Sequence, residues 1–553
     1  MRERLAESLT AFRAVFGNPN LRRVELAWVG SETGKWMYVV GVAVFAYSRG
    51  GASAVGIVAL IRVLSGAITA PFAAVLADKF RRERVMLFAD VSRALVLVGA
   101  VLVVAFSLPA ALVYALAACV NALSTTFRPA QSALLPSISR TPEELTAANV
   151  TMSTIAAAGL FVGPALGGVL LAATNIETVF AITAGTFLLS ALQVARIRAP
   201  AAAPRTEQGE QHHFAREALV GFETIGREPR LRLLMGLYCA QTLVAGALGV
   251  LVVVASIQLL HLGSAGVGYL NSAFGIGGLI GAAVAIGLVA RQRLASDFAI
   301  GTLLWGAPLI LVGIFPTKAV ALVLFAFVGV GDTLVEVAAP TLLQRAVPDE
   351  VLGRVFGVVE SLLYAAMGVG AILAPVLVNA IGTRGALIAA GALLPVLALL
   401  AWRPLMAMDT AFALPVRELG LLRQSSILAP LPQAQQEHLA RELIPVTAHA
   451  GDVVVREGEP GDRFYVVAVG RLDVSVDGKH VRSLGPGDHF GEIALLRDVP
   501  RTATVTAAED VELYALERDE FIGSVTGHAQ SAEAADAVVA QRLAKARTGL
   551  ATE

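Results

Sequence analysis

Over its first 403 residues the chain alternates long apolar runs with short polar breaks, and then its character changes. A helix needs about 20 mostly apolar residues to cross a bilayer. Runs of that length predict twelve transmembrane helices, six at 24–47, 54–77, 85–107, 110–135, 151–173 and 178–197, and six at 232–258, 266–290, 297–315, 319–342, 356–381 and 384–403. This is an all-α polytopic pattern of two six-helix bundles, 24–197 and 232–403, around a polar central loop at 198–231. An amphipathic, basic arm, 1–23, precedes them, and a linker at 404–418 carries Pro404 and Pro415. From 419 to 553 the periodicity shortens. One amphipathic helix is followed by short alternating runs broken by Gly, Pro and Asp. They predict a small β jelly roll with flanking helices, the last at 529–548.

Composition agrees with this division. The 553 residues are 56% hydrophobic and 16% charged, against roughly 25% charged in soluble domains, and charge returns to ordinary frequency only from about Asp409 onward. The formal net charge is zero, which gives no bulk case for nucleic-acid binding. Cys119 and Cys239 lie in apolar segments without metal-ligand spacing, and nothing in the sequence asks for a metal or a cofactor. The N-terminus has no signal-peptide core. Usage rich in Ala, Val, Gly and Arg but poor in Lys points to a GC-rich bacterial genome.

Orientation follows from loop charge. Arg22, Arg23, Lys79, Arg140, Arg196 and Arg293 fall on one side of the predicted spans, and the other side has little beyond Arg49, Lys318 and Arg384. Both termini and the central loop are therefore expected in the cytoplasm of a bacterial inner or plasma membrane, with the soluble domain facing the nucleotide pool.

Ionisable residues inside spans are expensive and are functional candidates by default. Glu32 and Lys35 share span 1, with Glu25 nearer one end, and Arg62 lies in span 2. Asp332 and Glu336 in span 10 are four apart and so share a helix face, and span 11 has Glu360. Glu32 and the Asp332–Glu336 pair are the candidates for a carboxyl that exchanges protons, and Lys35 and Arg62 for further cavity residues. Asp90 and Arg93, three apart in span 3, read as a structural ion pair.

Two motifs carry a resemblance. The turn AVLADKFRRERV, Ala74 to Val85, is similar to the signature between helices 2 and 3 of the major facilitator superfamily. Asp78, Lys79 and Arg82 match it, while Ala74 and Arg81 replace its two glycines. Span 5 contains GLFVGPALGG, in which Gly159, Gly163, Pro164, Gly167 and Gly168 match the superfamily's antiporter signature at every defined position. Small residues spaced by four let helices approach closely in lipid, and Pro164 permits a bend. The stretches Phe127–Ile138, Glu143–Val150, Gly221–Leu234 and Thr341–Gly357 resemble the branch containing siderophore and macrolide exporters. The resemblance implies an antiporter working in efflux, with Asp78 latching one conformation. It does not reveal the transported molecule.

The segment Ser426–Val505 resembles cyclic-nucleotide-binding domains, and FGEIALLRDVPRTATV, Phe490 to Val505, resembles their phosphate-binding cassette. By that resemblance Glu492 takes the ribose 2′-OH and Arg501 the cyclic phosphate. The backbone around Phe490, Gly491, Ile493, Ala494 and Ala503 completes the cradle, and Val538, Val539 and Arg542 form a lid over the base. Thr502 offers a hydroxyl that also suits guanine, so cAMP is favoured and cGMP stays open. Relatives that regulate transcription carry a DNA-binding motif after the last helix, and the expectation here is that none follows. No kinase or cyclase motif occurs, so no enzyme is expected. The resulting expectation is a proton-coupled exporter under allosteric control by cyclic nucleotide, acting as a monomer or dimer. A membrane-tethered sensor with little transport activity is the alternative, with a nucleotide-gated channel behind it.

Overall fold

The computed structural model describes residues 15–197, 214–289, 293–347, 349–411 and 416–549. The chain divides into two compact units, with the boundary between 411 and 412.

The first unit is helical. Its elements are α1 (Pro19–Lys79), α2 (Arg82–Ala105), α3 (Ala110–Ile138), α4 (Pro142–Ala173), α5 (Ile176–Ala195), α6 (Phe214–Arg227), α7 (Pro229–Val254), α8 (Gly263–Val289), α9 (Leu294–Ile314), α10 (Lys318–Ala346), α11 (Asp349–Leu400) and α12 (Trp402–Ala411). Ten of these helices contain stretches long and apolar enough to cross a membrane. Two are double length. α1 breaks at Gly50–Gly51, where Gly51 has φ +59° and ψ −151°, and α11 breaks at Gly382, with φ +73° and ψ 168°. Side chains other than hydrogen clash in that region. The breaks fall between predicted spans 1 and 2 and between spans 11 and 12, so the ten long helices supply twelve spans.

The surface of this unit is what lipid demands. Leu95, Phe106 and Leu400 are 66%, 72% and 76% exposed, too apolar for a face turned to water. Inside, small residues set the spacing. A Cβ on Gly163 would meet Trp36 Cβ at 2.5 Å, and one on Gly167 would meet the Met37 carbonyl at 3.3 Å, so the glycine stripe of α4 lies against α1. On another face of α4, a Cβ on Gly168 would meet the Ala265 carbonyl at 2.7 Å, bringing α4 equally close to α8.

The structure differs from the expected linker at 404–418. α12 and α13 (Val416–Gln424) make most of that stretch helical. Pro404 is the third residue of α12, within the first turn, where its missing N–H is no loss. Asp409 accepts from the backbone N–H groups of Ala295 (2.7 Å) and Ser296 (3.0 Å) and from the Ser296 hydroxyl, capping the start of α9. Within the predicted central loop, α6 is helical, and residues 198–213 lie outside the described residues, as do 1–14 of the N-terminal arm.

The second unit is a β jelly roll flanked by α13, α14 (Gln433–Glu442), α16 (Arg518–Thr526) and α17 (Ala529–Gly549). Strands β1 (Ile444–Ala448), β8 (Val511–Glu517), β3 (Arg463–Val469) and β6 (His489–Phe490) form one antiparallel sheet in that order. Strands β2 (Val453–Val455), β7 (Thr504–Ala507), β4 (Leu472–Val476) and β5 (Lys479–Leu484) form the other. Val467, Leu472, Leu513 and Ala515 fill the space between the sheets, and Phe464 stacks on Phe521 at 4.3 Å to bind the helices to the barrel.

Candidate functional site

A six-residue helix, α15 (Glu492–Arg497), interrupts the barrel between β6 and β7 and is the centre of the cassette. Phe490 pairs with Tyr465 of β3 and stacks on its ring at 4.9 Å, anchoring the cassette's start. Gly491 then turns at φ +96°. A Cβ there would meet Arg501 Nη1 at 2.6 Å and the Arg463 carbonyl at 2.8 Å, so both conformation and space require glycine.

Arg501 is 5% exposed. Its Nη2 donates to the Arg463 carbonyl (2.8 Å) and the Asp462 carboxylate (3.1 Å), and its Nη1 donates to the Gly491 carbonyl (3.2 Å). Backbone bonds from Arg501 N to Glu459 O (2.8 Å) and from Gly458 N to Arg501 O (2.9 Å) fix its position. Glu492 is 1% exposed. Its Oε1 accepts from Arg542 of α17 at 2.6 Å, and its Oε2 has no partner.

These residues line one cavity of about 620 Å³, as do Phe490, Gly491, Ile493, Ala494, Thr502 and Ala503. The structure therefore brings together every residue proposed for the cassette. Val538 and Arg542 of α17 line the same cavity, but Val539 is fully buried in the packing of α17 and is not among the lining residues. That corrects its assignment to the lid, because one step along a helix turns a side chain by about 100°.

Arg482, His489 and Gln541 are among the lining residues that sequence reasoning missed. Arg482 projects from β5, where register and not motif decides which face is inward. His489 is buried, its Nδ1 3.5 Å from Ser425 Oγ and its Nε2 without a partner. Burial, reinforced by the Arg542 and Arg482 guanidinium groups, pushes its imidazole down to about 3.

In the membrane unit, both Glu32 oxygens accept from Lys35 Nζ, at 2.8 and 2.9 Å, and Trp36 Nε1 adds a bond of 3.2 Å. Gly159 lies beside this cluster, since a Cβ on it would meet Glu32 Cβ at 3.1 Å. Asp332 accepts from Trp305 Nε1 (2.8 Å) and Gln241 Nε2 (3.1 Å), and Glu336 accepts from the Tyr238 hydroxyl (3.2 Å). The pair on α10 is thus tied to α7 and α9. Arg62 has a buried Nε without a partner. Arg93 and Asp90 are buried and paired, and Ser190 donates to Asp90 at 2.5 Å, which ties α2 to α5. Asp78 closes α1 and Arg82 opens α2, but the side chain of Asp78 lies outside the described residues.

A twelve-span helical bundle joined to a ligand-sized β jelly roll defines a membrane transporter with an attached small-molecule-binding domain. The Major Facilitator Superfamily profile matches residues 27–363, more than half of the sequence, and the chain belongs to that family. The cyclic nucleotide-binding domain profile matches residues 445–525. Among characterised proteins, the cAMP-dependent protein kinase regulatory subunit of Dictyostelium discoideum is 43% identical over 108 residues, covering 18% of this chain and 33% of that protein. The corresponding subunit of Yarrowia lipolytica is 40% identical over 114 residues, covering 20% and 30%. The chain therefore spans about a third of the length of the curated relatives it matches. The regulatory domain of Toxoplasma gondii PKA with cAMP shares 34% identity over 20% of this chain and 45% of that one, with a TM-score of 0.20.

Proposed function

We propose that the protein is a secondary active exporter of small amphipathic molecules or metabolites, coupled to protons and regulated by cAMP or cGMP. The observation that carries the regulatory half is the pairing of a deeply buried arginine, Arg501, with a buried carboxylate that keeps one free oxygen, Glu492, in one cavity of about 620 Å³. An arginine fork suits a phosphate, and a free carboxylate oxygen suits a ribose hydroxyl. The names of the relatives favour cAMP, and the Thr502 hydroxyl keeps cGMP as the alternative.

The transport half rests on the family and on the close helix approaches. Alternating access would rock the two six-helix halves around a midplane site, with the glycine seam between α4 and α8 opening and closing. Export is favoured by the antiporter signature, Gly159 to Gly168. Loop charge supports a cytoplasmic location for both termini. Nucleotide would act through a coupling free energy between its site and the transport site.

The test is calorimetry of cAMP and cGMP binding to the full-length protein, followed by export assays in vesicles with and without nucleotide. Micromolar binding together with a nucleotide-dependent rate supports the reading. Binding without transport would leave a membrane-tethered sensor, and ion currents in a planar bilayer would indicate a channel.

A further inference from the structure

The charged side chains discussed so far in the membrane unit are mostly held by partners, but Glu25 is not. It is fully buried in α1, and neither carboxylate oxygen has a hydrogen-bond partner. A second buried orphan is Gln131 of α3, whose amide nitrogen and oxygen are both unpartnered.

Three contacts fix how α1 and α3 run past each other. Asn18 Nδ2 donates to the Ile138 carbonyl at 3.0 Å, Trp28 stacks on Phe127 at 5.8 Å, and Phe45 meets Tyr114 at 6.4 Å. The helices are therefore antiparallel. Glu25 lies three residues before Trp28, and Gln131 lies four residues after Phe127. Each offset is close to one helical turn on the face that makes the interface, and both lead toward the Asn18–Ile138 contact. The two orphans thus occupy the same level of the α1–α3 interface.

Among the described residues, no charged side chain is bonded to Glu25. Arg23 donates to the carbonyl of Arg196, just past the end of α5, at 2.6 Å. Glu144 of α4 accepts from Asn18 at 3.2 Å and from Arg140 N at 2.9 Å. Asp90 and Arg93 of α2 hold each other, and Arg128 of α3 is exposed. An isolated carboxylate in an apolar interior costs far more than a carboxylic acid. A carboxylic acid has one O–H to give, and a glutamine carbonyl is an acceptor.

We propose that Glu25 and Gln131 form a buried proton site, in which Glu25 carries a proton and donates it in a hydrogen bond to the Gln131 carbonyl. One such bond gives a partner to one oxygen of each orphan. The proton stands independently of any transport assay; only its use in coupling rests on the proton-driven reading above, which named Glu32.

Infrared spectra of the full-length protein in phosphatidylcholine vesicles, recorded in H₂O and D₂O at neutral pH, test it. The expected result is a deuteration-sensitive protonated-carboxyl band with a component that is present in wild type and Glu32→Gln and missing from Glu25→Gln. Gln131→Leu should keep the band and move it to higher frequency, because the acceptor is gone. Absence of the band from wild type, or an unchanged band in Glu25→Gln, overturns the site. If Glu25→Gln does not fold, an unshifted band in Gln131→Leu overturns the pairing. Loss of proton-driven export in Glu32→Gln concerns coupling alone and leaves the band in place, so the two readings fail separately.

Discussion

Arg542 reaches from the last helix to Glu492 at 2.6 Å and occupies only one of its two carboxylate oxygens. The ion pair gives a buried carboxylate one partner while leaving a lone-pair face for a second donor. Nearly complete burial makes that free oxygen costly until it is satisfied.

This predicts a specific dependence on the ribose. A hydrogen bond to a charged, buried acceptor is worth about 1.5–3 kcal/mol. Wild type should therefore bind cAMP at least about tenfold more tightly than 2′-deoxy-cAMP. Glu492→Ala should bind the two alike. Calorimetry with both ligands measures it, and a preserved preference in Glu492→Ala would show that the hydroxyl is read elsewhere.

Arg501→Ala should reduce affinity for cAMP by about 100-fold or more, since it removes the charge-assisted fork and leaves the Arg463 and Gly491 carbonyls without their donor. Calorimetry again decides, with thermal unfolding as the control for folding. Unchanged affinity would remove Arg501 from the phosphate role.

His489 predicts a pH dependence of the C-terminal unit. Its folded value of about 3 lies below the ordinary 6.5, so the unfolded chain takes up a proton that the folded chain refuses. Stability is full above about pH 6.5 and falls as pH drops from there toward about 3, by on the order of a few kcal/mol in total. His489→Phe should flatten that part of the profile. Urea unfolding of the full-length protein, followed by a fluorescent label at Val469→Cys on the exposed end of β3, reads it. A slope that persists in the variant assigns it to another group.

Gly168→Val should wedge the α4–α8 seam. The added Cβ would meet the Ala265 carbonyl and Gly268 Cα, backbone that cannot swing aside. Overpacking of this kind costs about 1–3 kcal/mol, and that cost falls on the state in which the seam is closed. Pulsed electron-resonance distances between labels at the ends of α4 and α8 should lengthen, and transport should slow. An unchanged distance distribution would dissociate the seam from the transport cycle.

Glu32→Gln should abolish export driven by a pH gradient in reconstituted vesicles if the Glu32–Lys35 cluster carries the coupling proton. Normal export by this variant would release Glu32 from that role.

What the sequence made legible was whatever depends on local pattern. The spans follow from apolar run length, and the breaks at Gly50–Gly51 and Gly382 fall between predicted spans because a reversal needs only glycine. Glu492 and Arg501 were found because the cassette is a short, contiguous motif. What stayed hidden depends on neighbours distant in the chain. Arg542 bonds Glu492 across 50 positions. Val538 and Val539 differ only in which way α17 turns them. The place of Glu25 opposite Gln131 is set by how α1 and α3 pack, and no local pattern records that. Asp409 looked like the start of a soluble segment, yet it caps a membrane helix from more than 110 residues away.

The reversals at Gly51 and Gly382 have a mechanical side. A loop between two helices is slack, and one helix can slide before its neighbour responds. Here span 1 passes into span 2 through Gly51, and span 11 into span 12 through Gly382, each with a positive φ that favours glycine. Each pair meets at a glycine corner with no loop between its arms. With so little chain between the arms, a tilt of span 1 around Glu32 and Trp36 has little slack to absorb it before span 2, where Arg62 lies.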